Sequence, residues 1–131
     1  MPDRWRILLT LLLIVSFSIA QETHSHTAPE KLGNVSFPIS CAPAVQEQFN
    51  RGVAFLHSFA YAAAEGAFAS VAKLDPRCAM AHWGMAMTYF HQLWEPSISP
   101  AAVPIAQKEI QRAQQIGTAS ECERKFINAL A

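Results

Sequence analysis

Two histidines, His57 and His91, stand thirty-four residues apart, and Met80, Met85 and Met87 lie between them. Imidazole nitrogen and thioether sulfur can both ligate copper, zinc or a haem iron, so the pattern raises the question of a bound metal. No third ligand is spaced with the two histidines, and the chain holds no C-x-x-C-H run. The commoner use of such a histidine is a hydrogen bond to a turn carbonyl. His24 and His26 fall in a polar stretch and read as solvated. Glu47, Glu65 and Glu109 fall within helical patterns, where a solvated face is the default for carboxylates. Asp75 is the single aspartate after residue 20, and G-x-S-x-G, H-E-x-x-H and phosphate-loop patterns are all missing. The expectation is a chain that is not an enzyme, with no catalytic residue and no cofactor.

Whatever these side chains do, the elements carrying them must be found first. The 131 residues have a formal net charge of zero, with 51% hydrophobic and 15% charged side chains. That balance excludes a disordered chain and offers no steering toward nucleic acid. Residues 1–20 read as a secretory signal: Arg4 and Arg6 precede an uncharged run of fourteen residues ending in Ser18-Ile19-Ala20. The run is short for a hydrocarbon core of about 30 Å. Cleavage near Ala20, a periplasmic or secreted location and no integral membrane segment thereafter are expected. Residues 21–40 read as a flexible, then extended leader. Val35, Phe37 and Ile39 alternate at spacing two, and Pro38 bars a central strand. That stretch should lie against something apolar.

From Ser40, a plausible N-cap, the period becomes helical, with Pro43 in the first turn. Val45, Phe49, Gly52, Val53, Leu56 and Phe59 recur at three and four in a first helix. A second, from about Ala60 to Leu74, ends at Asp75-Pro76. A third, from about Cys78, carries Met80, Trp83, Gly84, Met87, Phe90 and Leu93. Ser120 and Glu123 form an S-x-x-E capping box that opens a last helix through Phe126, Ile127 and Leu130. The class is all-α.

These helices echo one another. A slide of 34 residues places Phe49 on Trp83, Gly52 on Ala86, Phe55 on Tyr89, Leu56 on Phe90 and His57 on His91. A slide of 42 places Ala64 on Ala106, Phe68 on Ile110, Val71 on Ala113 and Leu74 on Ile116. The difference is a loop insertion near 95–100. A period of 34 built from two helices marks a helix-hairpin repeat array. Gly52 and Ala64 are the small residues where two helices should approach closely, with Phe55 and Phe68 filling the space beside them.

The run FNRGVAFLHSFAYAAAEGAFASVAKLDP, continued by RCAMAHWGMAMTYF, resembles tetratricopeptide repeats (TPR), in particular exported bacterial members with an HSF-x-Y turn and a DP-x-CAMA-x-WG junction. The likeness covers about residues 45–131. Gly52, Phe55, Tyr61, Ala64, Phe68, Val71 and Pro76 carry it in the first repeat, and Tyr89, Ala106, Ile110 and Ala113 in the second; Thr118 departs from the expected closing proline. The resemblance implies an α-solenoid over 41–131, about two and a half repeats (45–78, 79–118 and the start of a third, 119–131). It implies a binding scaffold without catalytic residues. Such arrays end in caps, so the chain reads as the N-terminal piece of a longer array, or as one that self-associates through its C-terminal helix.

In such an array the first helix of each repeat lines one shared face. That face would show Phe49, Val53, Leu56 and His57, then Met80, Trp83, Met87, Phe90 and His91. It is either packed by the 35–39 segment and later repeats, or open to a protein or peptide partner. The lysine, arginine and asparagine by which some family members grip a carboxylate are not expected on it. The rival reading, from another class, is a small periplasmic bundle holding a metal or haem through His57 and His91. Cys41, Cys78 and Cys122 each fall near the start of a first helix. In an oxidising compartment Cys41–Cys78 is the favoured pair, with Cys122 left over.

Overall fold

The computed structural model describes residues 31–91, 98–118 and 120–131. The signal read over 1–20, the first half of the leader with His24 and His26, and residues 95–97 of the insertion lie outside the described residues. Pro43 starts the helical part, where its fixed φ and missing amide cost least. Pro43–Val45 is a single 3-10 turn running into α1, Gln46–His57. Then follow α2 (Tyr61–Leu74), α3 (Ala79–Met87), α4 (Val103–Ile116) and α5 (Glu121–Asn128). Every regular element among the described residues is a helix, so the chain is all-α. Among the described residues no helix is long and apolar enough to cross a membrane.

Packing follows from one stripe. Ala64, Ala67, Phe68 and Val71 recur at three and four along α2, and all are buried. Phe68 is 0% exposed and seats its ring in two notches. A Cβ at Gly52 of α1 would lie 2.7 Å from that ring, and one at Gly84 of α3 would lie 2.5 Å from it. The residue that fills the Gly52 notch is therefore Phe68. With glycine on α1 and on α3 opposite the Phe68 ring, α2 packs on both; α4 packs on α3, and α1, α3 and α5 touch in a row.

Helix ends correct several expectations. Asp75 is extended (φ −131°) as the residue before a proline must be. Pro76 itself is exposed, so it stops α2 without packing between repeats. α3 ends at Met87 rather than continuing toward Leu93. The Thr88 hydroxyl donates to the Met85 carbonyl at 2.6 Å, and the amides of Thr88, Tyr89 and Phe90 donate three residues back. That tightened turn closes the helix. Tyr89, Phe90 and His91 thus lie beyond α3. Gly117 ends α4 at φ 70°, ψ 172°, a region closed to side chains. Ser40 caps no helix; its hydroxyl turns to Glu123, 83 residues away. Half of the expected capping box forms, the Glu123 amide donating to Ser120 Oγ at 3.3 Å, while the Glu123 carboxylate turns elsewhere.

Candidate functional site

Residues 31–39 form no helix or strand, yet Val35, Phe37 and Ile39 are half-buried against the helices. An extended backbone leaves amides and carbonyls that need partners. Two carboxamides on α1 supply them. Gln46 and Asn50 stand four residues apart, hence on one face of the helix. The Phe37 amide donates to Asn50 Oδ1 at 3.1 Å, Gln46 Nε2 donates to the Phe37 carbonyl at 2.8 Å, and the Ile39 amide donates to Gln46 Oε1 at 3.1 Å. Gln46 Nε2 also donates to Asn50 Oδ1 at 3.0 Å, which sets both carboxamides in register. A carboxamide carries donor and acceptor together, as a peptide group does, so the pair reads the segment much as a neighbouring strand would.

The Phe37 side chain enters an aromatic pocket. Its ring centroid lies 5.6 Å from Phe49 of α1, 5.7 Å from Trp83 of α3 and 5.2 Å from Phe126 of α5. Each of the three touching helices thus gives one ring. Tilted pairs at these separations contribute about 0.5–1.5 kcal/mol each beyond burial.

The C-terminal end of the segment is fastened three ways. Glu123, only 4% exposed, accepts hydrogen bonds from the Ser40 amide, from the Ser40 hydroxyl at 2.6 Å and from the Thr118 hydroxyl. A carboxylate buried this far needs such donors. The Ala42 amide donates to Asp75 Oδ2 at 2.9 Å. Between them Cys41 is disulfide-bonded to Cys78, while Cys122 is free and exposed. A polar cleft of about 440 Å³ opens beside this clasp, lined by Asp75, Arg77, Thr118 and Glu123.

The residues expected on the shared face are not all surface. Phe49, Val53, Met80 and Trp83 are buried, Leu56 and Met87 are half-buried, and His57 and Phe90 are exposed. The first four belong to the hydrophobic core. Trp83 meets Phe37 and Phe126, and Phe49 meets Phe37 and Phe68. His91 has Nε2 3.0 Å from the Thr88 carbonyl and stacks on Tyr61 with centroids 4.1 Å apart. Among the described residues no group of three or more His, Cys, Asp or Glu is placed to hold a metal. Of the repeat-packing residues, Gly52, Phe55, Ala64, Phe68, Val71, Ala86, Ile110 and Ala113 are buried, and Tyr89 and Ala106 are partly so. Asn50 stands on the face from which asparagine was expected to be missing, and Gln46, Phe37, Ser40, Thr118, Glu123 and Phe126 were not singled out as site residues. The available signal was Gln46 and Asn50 at spacing four beside Val45 and Phe49.

Two carboxylates expected to be solvated have partners. Glu109 Oε2 lies 2.7 Å from His82 Nδ1, joining α4 to α3. Glu65 accepts the Tyr89 hydroxyl at 2.8 Å. That hydrogen bond raises the Tyr89 pKa, helped by burial and by the charges of Glu65 and Glu109. A raised folded-state value means the stabilisation is complete below the unfolded value of about 10 and is lost as pH climbs through the folded value. With Tyr61→Phe removing the other tyrosine, ultraviolet titration should place Tyr89 ionisation above pH about 10, and Glu65→Gln should draw it back. An unmoved midpoint in Glu65→Gln would refute the coupling. Compared with protein-family models, curated proteins and solved structures, the chain has no match.

Proposed function

We propose that this chain is a non-catalytic scaffold of tetratricopeptide-like helix hairpins, exported from a bacterial cytoplasm, that binds a segment of a protein partner across α1, α3 and α5. The observation that carries this reading is the extended segment lying over all three helices, its backbone held by Gln46 and Asn50. In support, α1 and α3 are each followed by a helix packed on them, and α1, α3 and α5 form one row. Export rests on the basic, apolar and small-residue pattern of residues 1–20. The proposal is tested by a photo-crosslinking phenylalanine analogue at Phe126, which is 39% exposed beside Phe37, and at Ala69 on the exposed side of α2 as control. Expressed in the source cell, the first should give a discrete protein adduct and the second none. Adducts at neither position, or equally at both, would count against it.

A further inference from the structure

The manner in which residues 35–39 are held defines a ligand. Their backbone is contacted at one amide, one carbonyl and the amide two residues on, all by side chains of α1. Their side chains alternate, so one aromatic residue faces three rings while branched aliphatics two positions to either side rest on the helices. None of these contacts requires the segment to belong to this chain. The packing of Phe68 into Gly52 and Gly84 is made by helices alone, so that part of the core does not depend on the segment. Val35, Phe37 and Ile39 remain partly exposed, and no helix or strand ladder fixes them. Such elements open at lower free energy than the core beneath them.

We propose that the groove formed by Gln46, Asn50, Phe49, Trp83 and Phe126 is a binding site for an extended partner peptide. That peptide carries an aromatic residue with branched aliphatic residues two positions before and after it. Residues 35–39 are the built-in occupant of the same site. This deepens the scaffold reading and rests on it: the partner enters by displacing a strap. Cys41 and Ser40 hold the end of the strap, so its local concentration is high and a partner at low concentration is excluded. Recognition through backbone groups makes the site tolerant of sequence between the anchors, and the single aromatic pocket sets the register. The five residues named for the groove are uncharged, which suits an uncharged apolar segment.

The test uses the full chain and a fluorescein-labelled peptide, KLGNVSFPIS, copied from residues 31–40. Phe37→Ala weakens the strap and leaves the groove intact, so the peptide should bind that variant about tenfold tighter than the unaltered chain in fluorescence anisotropy. Replacing phenylalanine by alanine in the peptide, or adding Gln46→Ala and Asn50→Ala to the protein, should each remove most of that gain. Circular dichroism establishes that the variants stay helical. Should Phe37→Ala fail to fold, the milder Ile39→Ala decides, with a smaller gain of the same sign. A folded strap variant that binds the peptide no tighter than the unaltered chain overturns the proposal. If that happens while adducts at position 126 still form, the strap site falls and the scaffold reading stands.

Discussion

Phe68→Ala is expected to lower the unfolding free energy by about 3–5 kcal/mol, the range for emptying a fully packed aromatic site. The ring is completely buried and lies against Phe49 and the bare backbones of Gly52 and Gly84, so nothing nearby can collapse far into the space. Gly84→Ala approaches the same site from the other side. Alanine favours a helix interior over glycine by about 1 kcal/mol. Its methyl carbon, however, would stand 2.5 Å from the Phe68 ring, and overpacking of that kind costs about 1–3 kcal/mol. Gly84→Ala should therefore destabilise. Gly66→Ala, with nothing within 4 Å, should stabilise by about 0.5–1 kcal/mol. The double variant is the sharper measurement. Once Phe68 is alanine, the new methyl enters a cavity, and Gly84→Ala should turn neutral or favourable. Strict additivity in urea unfolding would show that the two residues do not share space.

The helices were legible because their apolar residues keep a regular period and their ends carry proline. Ala64, Ala67, Phe68 and Val71 announce a buried stripe, and Asp75-Pro76 announces its end. The end of α3 was not legible, because Phe90 and Leu93 continue the helical period. A threonine hydroxyl competing for the Met85 carbonyl breaks it instead, and no periodicity records that competition. Gly84 was read as one more position on an apolar face. That its missing side chain shelters an aromatic ring from another helix is a fact of three-dimensional proximity alone.

The groove divides in the same way. The alternation of Val35, Phe37 and Ile39 showed that an extended segment wanted an apolar surface, and the face built by the first helices was on offer. Both halves of the contact were readable, and either packing or an open face fitted them. What was not readable is the polar half. Gln46 and Asn50 are unremarkable helix residues until an extended backbone is laid beside them. Glu123 looked like a local capping residue, and its real donors, Ser40 and Thr118, come from two other parts of the chain. Polar partnerships at long range leave no period, so a sequence pattern finds the apolar floor of a site before it finds the groups that orient a ligand on it.

Those polar groups hold the segment only if its end is kept close, which is the task of Cys41–Cys78. The bond spans 37 residues, so on chain-entropy grounds its loss should cost about 3–4 kcal/mol. Reduction with a dithiol is the cleaner perturbation than substitution, because Cys78 is fully buried and the sulfur atoms remain in place. The free Cys122 is exposed and unaffected. Reduced protein should keep its helical signal under native conditions and unfold at lower urea. Hydrogen exchange then separates a global effect from a local one. At neutral pH the Phe37 and Ile39 amides, bonded to Asn50 and Gln46, should exchange faster after reduction by a larger factor than amides in the middle of α2. The segment would then be acting as a tethered ligand whose occupancy depends on its tether. Equal acceleration at both places would mean that leader and helices open together, and no change at either would mean that the carboxamides and the aromatic pocket hold the segment without help from the bond.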